Sequence, residues 1–157
     1  MAFQKLMLKM AAYAAVICFG LPAWSQDRVA ILLGSHHVNA TANFQETNPG
    51  AFLIWEKKRY DWSVGGFRNS YGGGSAAVMF GMPIFERGTA QLALTGGVAV
   101  YPGDGYRFDA RVGDFIPLGG IRARVGNAFV QVFPSDGNTT DAVVSFGLTF
   151  DLDQDSR

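Results

Sequence analysis

Residues 144–152 alternate strictly, with Val144, Phe146, Leu148, Phe150 and Leu152 set against Ser145, Gly147, Thr149 and Asp151. A period of two assigns each set to one face of a strand, so one face is apolar and the other small or polar. Residues 89–101 repeat the pattern, with Leu92, Leu94, Val98 and Val100 facing one way and Gln91, Ala93, Thr95, Gly97 and Ala99 the other. Apolar-rich runs punctuated by Gly, Pro, Asn and Asp predict further strands at 28–38, 49–56, 60–69, 75–85, 115–124 and 127–134, which makes eight. Their lengths cluster near the ~9–11 residues that a tilted strand needs to cross a bilayer. The connections alternate in length. Segments 56–60, 85–89 and 124–127 are tight turns, whereas 39–48, 71–74, 102–114 and 135–140 are longer or more polar. This is the pattern of an all-β, eight-stranded antiparallel transmembrane β-barrel with its long loops outside the outer membrane. A soluble lipocalin-like barrel or a sandwich is the competing reading, because each strand's barrel signal is weak.

The N-terminus adds an export signal. Lys5 and Lys9 precede an uncharged apolar stretch from Met10 to Leu21, Pro22 breaks it, and Ala23-Trp24-Ser25 supplies a small-x-small cleavage pattern. The expected leader is 1–25, with a mature barrel from Gln26 to Arg157. Cys18 leaves with the leader, so no disulfide framework is expected. The mature chain of about 130 residues makes one domain. Its near-zero net charge and lack of basic runs point away from nucleic acid.

The positions assigned to the lumen are mostly Gly, Ala, Ser and Thr. Either they merely fit a tight interior, or they line an apolar slot for a hydrocarbon chain. At the loop end, strand one finishes at Ser35-His36-His37 and strand three at Arg68-Asn69-Ser70. Both strands run the same way, so the only two histidines, a serine and an asparagine meet at the extracellular rim. A histidine beside a hydroxyl is the minimum for general-base activation of an alcohol. An asparagine can orient an imidazole or donate to an oxyanion. Neighbouring histidines on a strand face opposite ways and no third histidine exists, so neither a metal nor another cofactor is expected. Strand parity leaves His36 and His37 both open. Tyr60, Trp62, Tyr101 and Tyr106 read as interfacial girdle residues, and 56–59 as a solvated turn.

These rim residues resemble the PagP-type lipid A palmitoyltransferases. The resemblance runs through His36-His37, Gln45-Glu46-Thr47-Asn48-Pro49-Gly50, Arg68-Asn69-Ser70-Tyr71, Phe115-Ile116-Pro117-Leu118, Val132-Phe133-Pro134 and the aromatic final strand. It implies an acyltransferase that moves a fatty acyl chain, such as palmitate, from a phospholipid to lipid A, acting as a monomer in the outer leaflet. It also implies catalysis by His37 or His36 with Ser70. The family's aspartate position carries Asn69, which weakens a histidine base. Pro49, Pro117 and Pro134 correspond to prolines that interrupt the family's barrel wall, and the family's amphipathic helix has no room before strand one. The alternative is a non-catalytic outer-membrane barrel with a structural or surface-interaction role.

Overall fold

The computed structural model describes residues 26–135 and 139–152. The leader read from the sequence, 1–25, lies outside the described residues. Eight strands form, namely β1 (Arg28–Val38), β2 (Gly50–Glu56), β3 (Asp61–Arg68), β4 (Gly74–Arg87), β5 (Ala90–Val100), β6 (Phe115–Val125), β7 (Ala128–Pro134) and β8 (Ala142–Asp151). Each pairs antiparallel with its neighbours in sequence, and β1 pairs with β8 to close the barrel. Closure satisfies the edge N–H and C=O groups that an open sheet would expose. The expected all-β, eight-stranded antiparallel barrel is met strand for strand. The clearest boundary difference is at β4, which runs past Phe85 to Arg87. A bulge at Ile84 absorbs one residue after Pro83, and the ladder resumes at Phe85↔Leu92.

The alternation sorts side chains across this wall. Ser75, Ala77, Ala93, Thr95, Ala99, Ser145 and Thr149 are buried in the lumen. Val78, Phe80, Leu94, Val98, Phe146 and Phe150 face outward and stay between 41% and 54% exposed, a broad apolar belt around the barrel. Trp62 stacks on Trp55 and Tyr60 on Phe80, as the alternation of β2 and β3 places them on the outer face.

The tight turns and the start of β1 share one end of the barrel, called lower here; the long loops form the upper end. The lower lumen overturns the expectation of small and apolar inward positions. Arg28, Glu56, Asp61, Arg122, Arg124 and Asp151 converge there. Asp61 pairs with Arg122, Arg124 Nη1 lies 3.1 Å from Glu56, and Arg28 Nη1 lies 2.6 Å from Asp151. Arg28 Nη2 also donates to Thr149 Oγ1 at 3.1 Å. Opposite charges lower one another's desolvation cost, so together they make a floor. Glu56 therefore belongs to this floor and not only to the turn that follows it. Above it Ala30, Ile54 and Phe129 pack together, then Ala77, Met79 and Ala99 with Phe52, Phe67, Leu118 and Phe133.

The wall is uneven. The β4–β5 and β5–β6 ladders run the length of their strands. The β1–β2 ladder holds only from Arg28↔Ile54 up to Leu32↔Gly50, and β6–β7 only from Val125↔Ala128 up to Ile121↔Val132. In the upper half both seams lack strand pairing, and Pro49, Pro117 and Pro134, which carry no N–H donor, flank them.

Candidate functional site

A single residue decides which histidine enters the lumen. From Arg28 the inward positions of β1 are Ala30 and Leu32, and unbroken alternation would bring His36 inward. Opposite β8, however, Leu32 pairs with Gly147 and Gly34 with Phe146, so Leu33 is an extra residue in a bulge. Parity shifts, and Ser35 and His37 turn inward. Close approach fixes the bulge, because a Cβ on Gly34 would lie 2.6 Å from the Glu46 carbonyl oxygen. His37 is 5% exposed and its ring stacks on Phe44, 4.1 Å between centroids and 9° from parallel. Its Nδ1 is buried with no hydrogen-bond partner among the described residues. His36 faces outward, its side chain 63% exposed, with Nδ1 2.8 Å from Glu46 Oε1.

Asn69 and Ser70 reach the same cavity mouth as His37, but Asn69 is committed elsewhere. Its side chain is 1% exposed. Oδ1 accepts Tyr71 N at 2.9 Å and Gly73 N at 3.0 Å, and Nδ2 donates to Ser75 Oγ at 2.9 Å. None of these bonds runs to His37, so the expected orientation of the imidazole by Asn69 is not how the amide is used; it folds the 69–73 turn. Gly72, at φ +85°, completes that turn. The Ser70 carbonyl accepts Gln45 N at 2.9 Å, which ties the turn to the 39–49 loop.

Two residues beside His37 went unassigned by sequence reasoning. Ser35 Oγ donates to Asn48 Oδ1 at 2.6 Å, and Asn48 Nδ2 donates to the Arg68 carbonyl at 3.1 Å. With Ser35 N donating to the Glu46 carbonyl at 2.9 Å, these bonds hold segment 45–48 where the upper half of β2 would otherwise pair. Ser35 was within reach of the sequence, being two residues from His37 on the same strand.

Below this mouth lies a cavity of about 310 Å³ that runs from His37, Phe44 and Tyr71 down to the charged floor at Asp61 and Arg122. That size falls within the ~300–1,000 Å³ of small-ligand pockets. Its waist is apolar, formed by Phe52, Phe67, Met79 and Leu118. Aromatic rings contact one another in series around the upper wall. Phe67 meets Tyr101 at 6.0 Å, Tyr101 meets Phe108 at 4.8 Å, Phe108 meets Tyr71 at 6.0 Å, and Tyr71 meets Phe44 at 5.9 Å. Arg107 lies over Tyr71, 4.6 Å from the ring centre. Tyr101 thus faces inward, not into a girdle, because it continues the inner row Ala93, Thr95, Gly97 and Ala99. Among the described residues no group of three or more His, Cys, Asp or Glu side chains is placed to hold a metal.

No protein-family model matches the chain, and no curated protein matches it in sequence.

Proposed function

We propose that this chain is an exported outer-membrane enzyme that moves a fatty acyl chain, such as palmitate, from a phospholipid to lipid A. The observation that carries this reading is an apolar cavity, blind at its charged floor, with one buried histidine at its mouth and two interruptions of the wall beside it. The outward apolar belt supports a bilayer setting, where exposed hydrocarbon-facing side chains cost nothing. The upper seam at β6–β7, which lacks strand pairing, and that at β1–β2, spanned by segment 45–48 instead of a strand, give a lipid chain lateral routes between bilayer and lumen. His37 serves as general base toward the acceptor hydroxyl, and Ser70 stands beside it at the mouth. With Asn69 committed to its turn, the imidazolium formed in the step lies over the Phe44 ring, a cation–π arrangement worth about 0.5–2 kcal/mol. The protein acts as a monomer and needs no cofactor in this scheme.

A second reading has its own support. No carboxylate or amide bonds to His37 among the described residues, and this favours a barrel that holds a lipid chain without reacting it. Mass spectrometry of lipid A from cells with a permeabilised outer membrane separates the two. Wild type should add one acyl chain to lipid A, and His37→Ala should lower transfer by about 10²–10⁴-fold with the protein still in the outer-membrane fraction. His36→Ala, which removes only an exposed pair, should stay within about fivefold of wild type. Unaltered lipid A in every strain would leave the non-catalytic barrel.

A further inference from the structure

Tyr101 stands at the upper end of β5, one step beyond the inward residue Ala99. Its backbone is held from both sides. Its N–H donates to the Asp114 carbonyl at 2.8 Å, and its own carbonyl accepts Asp104 N at 3.0 Å. Its ring is fixed edge-on between Phe67 and Phe108, at interplanar angles of 74° and 65°. The residue borders the same cavity as His37, yet its hydroxyl has no hydrogen-bond partner among the described residues. A partly buried phenol that lines a cavity can donate to what the cavity holds. Several other side-chain donors around the mouth are already engaged, while the Ser70 hydroxyl, like that of Tyr101, is bonded to no described residue. Asn69 gives to Ser75, Ser35 to Asn48, Asn48 to the Arg68 carbonyl, and Thr140 Oγ1 to the Val38 carbonyl. Burial, with Tyr71 nearby, pushes the Tyr101 phenol up to about 12, so it keeps its proton and acts as a donor rather than a base.

We propose that Tyr101 is the hydrogen-bond donor for the ester carbonyl of the acyl donor lipid and for the oxyanion that this carbonyl becomes. The assignment rests on the acyl-transfer reading. The acceptor oxygen forms its new bond to the carbonyl carbon while its proton passes to His37. The carbonyl electron pair moves onto oxygen, and the Tyr101 hydroxyl donates a hydrogen bond to the oxyanion so formed. When that pair returns, the bond to the glycerol oxygen breaks, and the leaving oxygen takes the proton from His37. A rigid donor held away from water is most valuable where charge appears in the transition state.

Tyr101→Phe keeps both ring contacts and removes only the hydroxyl. Acyl transfer should fall by about 10²–10³-fold in kcat, with KM for the phospholipid little changed. The second measurement needs no turnover. Infrared spectra of a phospholipid labelled with carbon-13 at the ester carbonyl are recorded on the His37→Ala protein, alone and combined with Tyr101→Phe. A down-shifted carbonyl band in the first and its loss in the second is the expected result. The same band in both proteins, or its loss on Ser70→Ala with Tyr101 intact, overturns the assignment. If wild type transfers no acyl chain but the band appears and depends on Tyr101, the acyl-transfer reading fails and the ester donor stands.

Discussion

The two ends of the lumen both hold polar groups in a barrel whose waist is apolar, yet they hold them in opposite ways. At the floor, Asp61 has Arg122, Glu56 has Arg124, and Arg28 has Asp151, although the buried Arg28 Nε, 4.0 Å from Glu56, makes no hydrogen bond of its own. At the mouth, His37 Nδ1 is buried without a partner among the described residues, and the Tyr101 hydroxyl lines the cavity without one, while Ser35, Asn48 and Asn69 bond to neighbouring side chains and to the backbone. Burying an unpartnered polar group costs free energy, so folds keep few of them. The contrast teaches where to look for chemistry. Opposite charges that neutralise one another build the container, and the neutral groups left with free valence at the mouth face what the container holds.

That contrast can be broken from the floor first. Asp61→Leu leaves Arg122 buried without its partner and should lower unfolding free energy in detergent by about 3–5 kcal/mol, measured by urea titration. Adding Arg122→Met should restore most of the loss, because replacing a whole pair with apolar side chains is often neutral. If Asp61→Leu alone is silent, the floor is not the structural end.

At the mouth, a smaller effect follows from Tyr101. An unfolded tyrosine ionises near pH 10, whereas Tyr101 in the barrel keeps its proton to about 12. Below pH 10 both states are protonated and the group's contribution is intact. As pH rises from 10 to 12 the unfolded chain loses its proton first, and stability falls by roughly 2–3 kcal/mol. Tyr101→Phe should remove that part of the alkaline decline, and the ultraviolet difference between the two proteins should titrate near pH 12.

The smallest effect separates container from contents within the mouth itself. Asn69→Leu strips two backbone N–H groups of their acceptor and should cost about 1–3 kcal/mol. Asn69→Asp keeps both acceptors and can take a hydrogen bond from Ser75, so its stability should match wild type more closely in the same titration. A large loss in Asn69→Asp would mean that the Nδ2 bond to Ser75, rather than the turn, is what the amide supplies.

Much of this architecture was legible from alternation, because an inside–outside period of two runs through the strands except at the bulges at Leu33 in β1 and Ile84 in β4. The inward course of Tyr101 was legible too, as the next member of the row Gln91, Ala93, Thr95, Gly97 and Ala99; reading aromatic residues near loops as a girdle hid it. Arg122 and Arg124 alternate with Ile121, Ala123 and Val125, yet charges beside a turn read as solvated until the closed wall brings Asp61 and Glu56 across from them. The Leu33 bulge had no local marker. It follows from the packing of Gly34 under the Glu46 carbonyl, a contact between segments that no period along β1 encodes. Asn69 was placed at the rim correctly, but its role depends on the turn that follows and not on the strand that carries it.

The doubled histidine has a further consequence at the β1 bulge. Bulges can migrate along a strand, and a one-residue migration ordinarily replaces the side chain presented to one face with a different one. Here the two candidates for that place are chemically identical. Were the extra residue to move from Leu33 to a point above His37, an imidazole would still face the lumen, now supplied by His36 and released from Glu46. The tandem pair therefore gives this wall fault tolerance, since an error of one residue in the ladder changes which histidine faces inward but not whether one does.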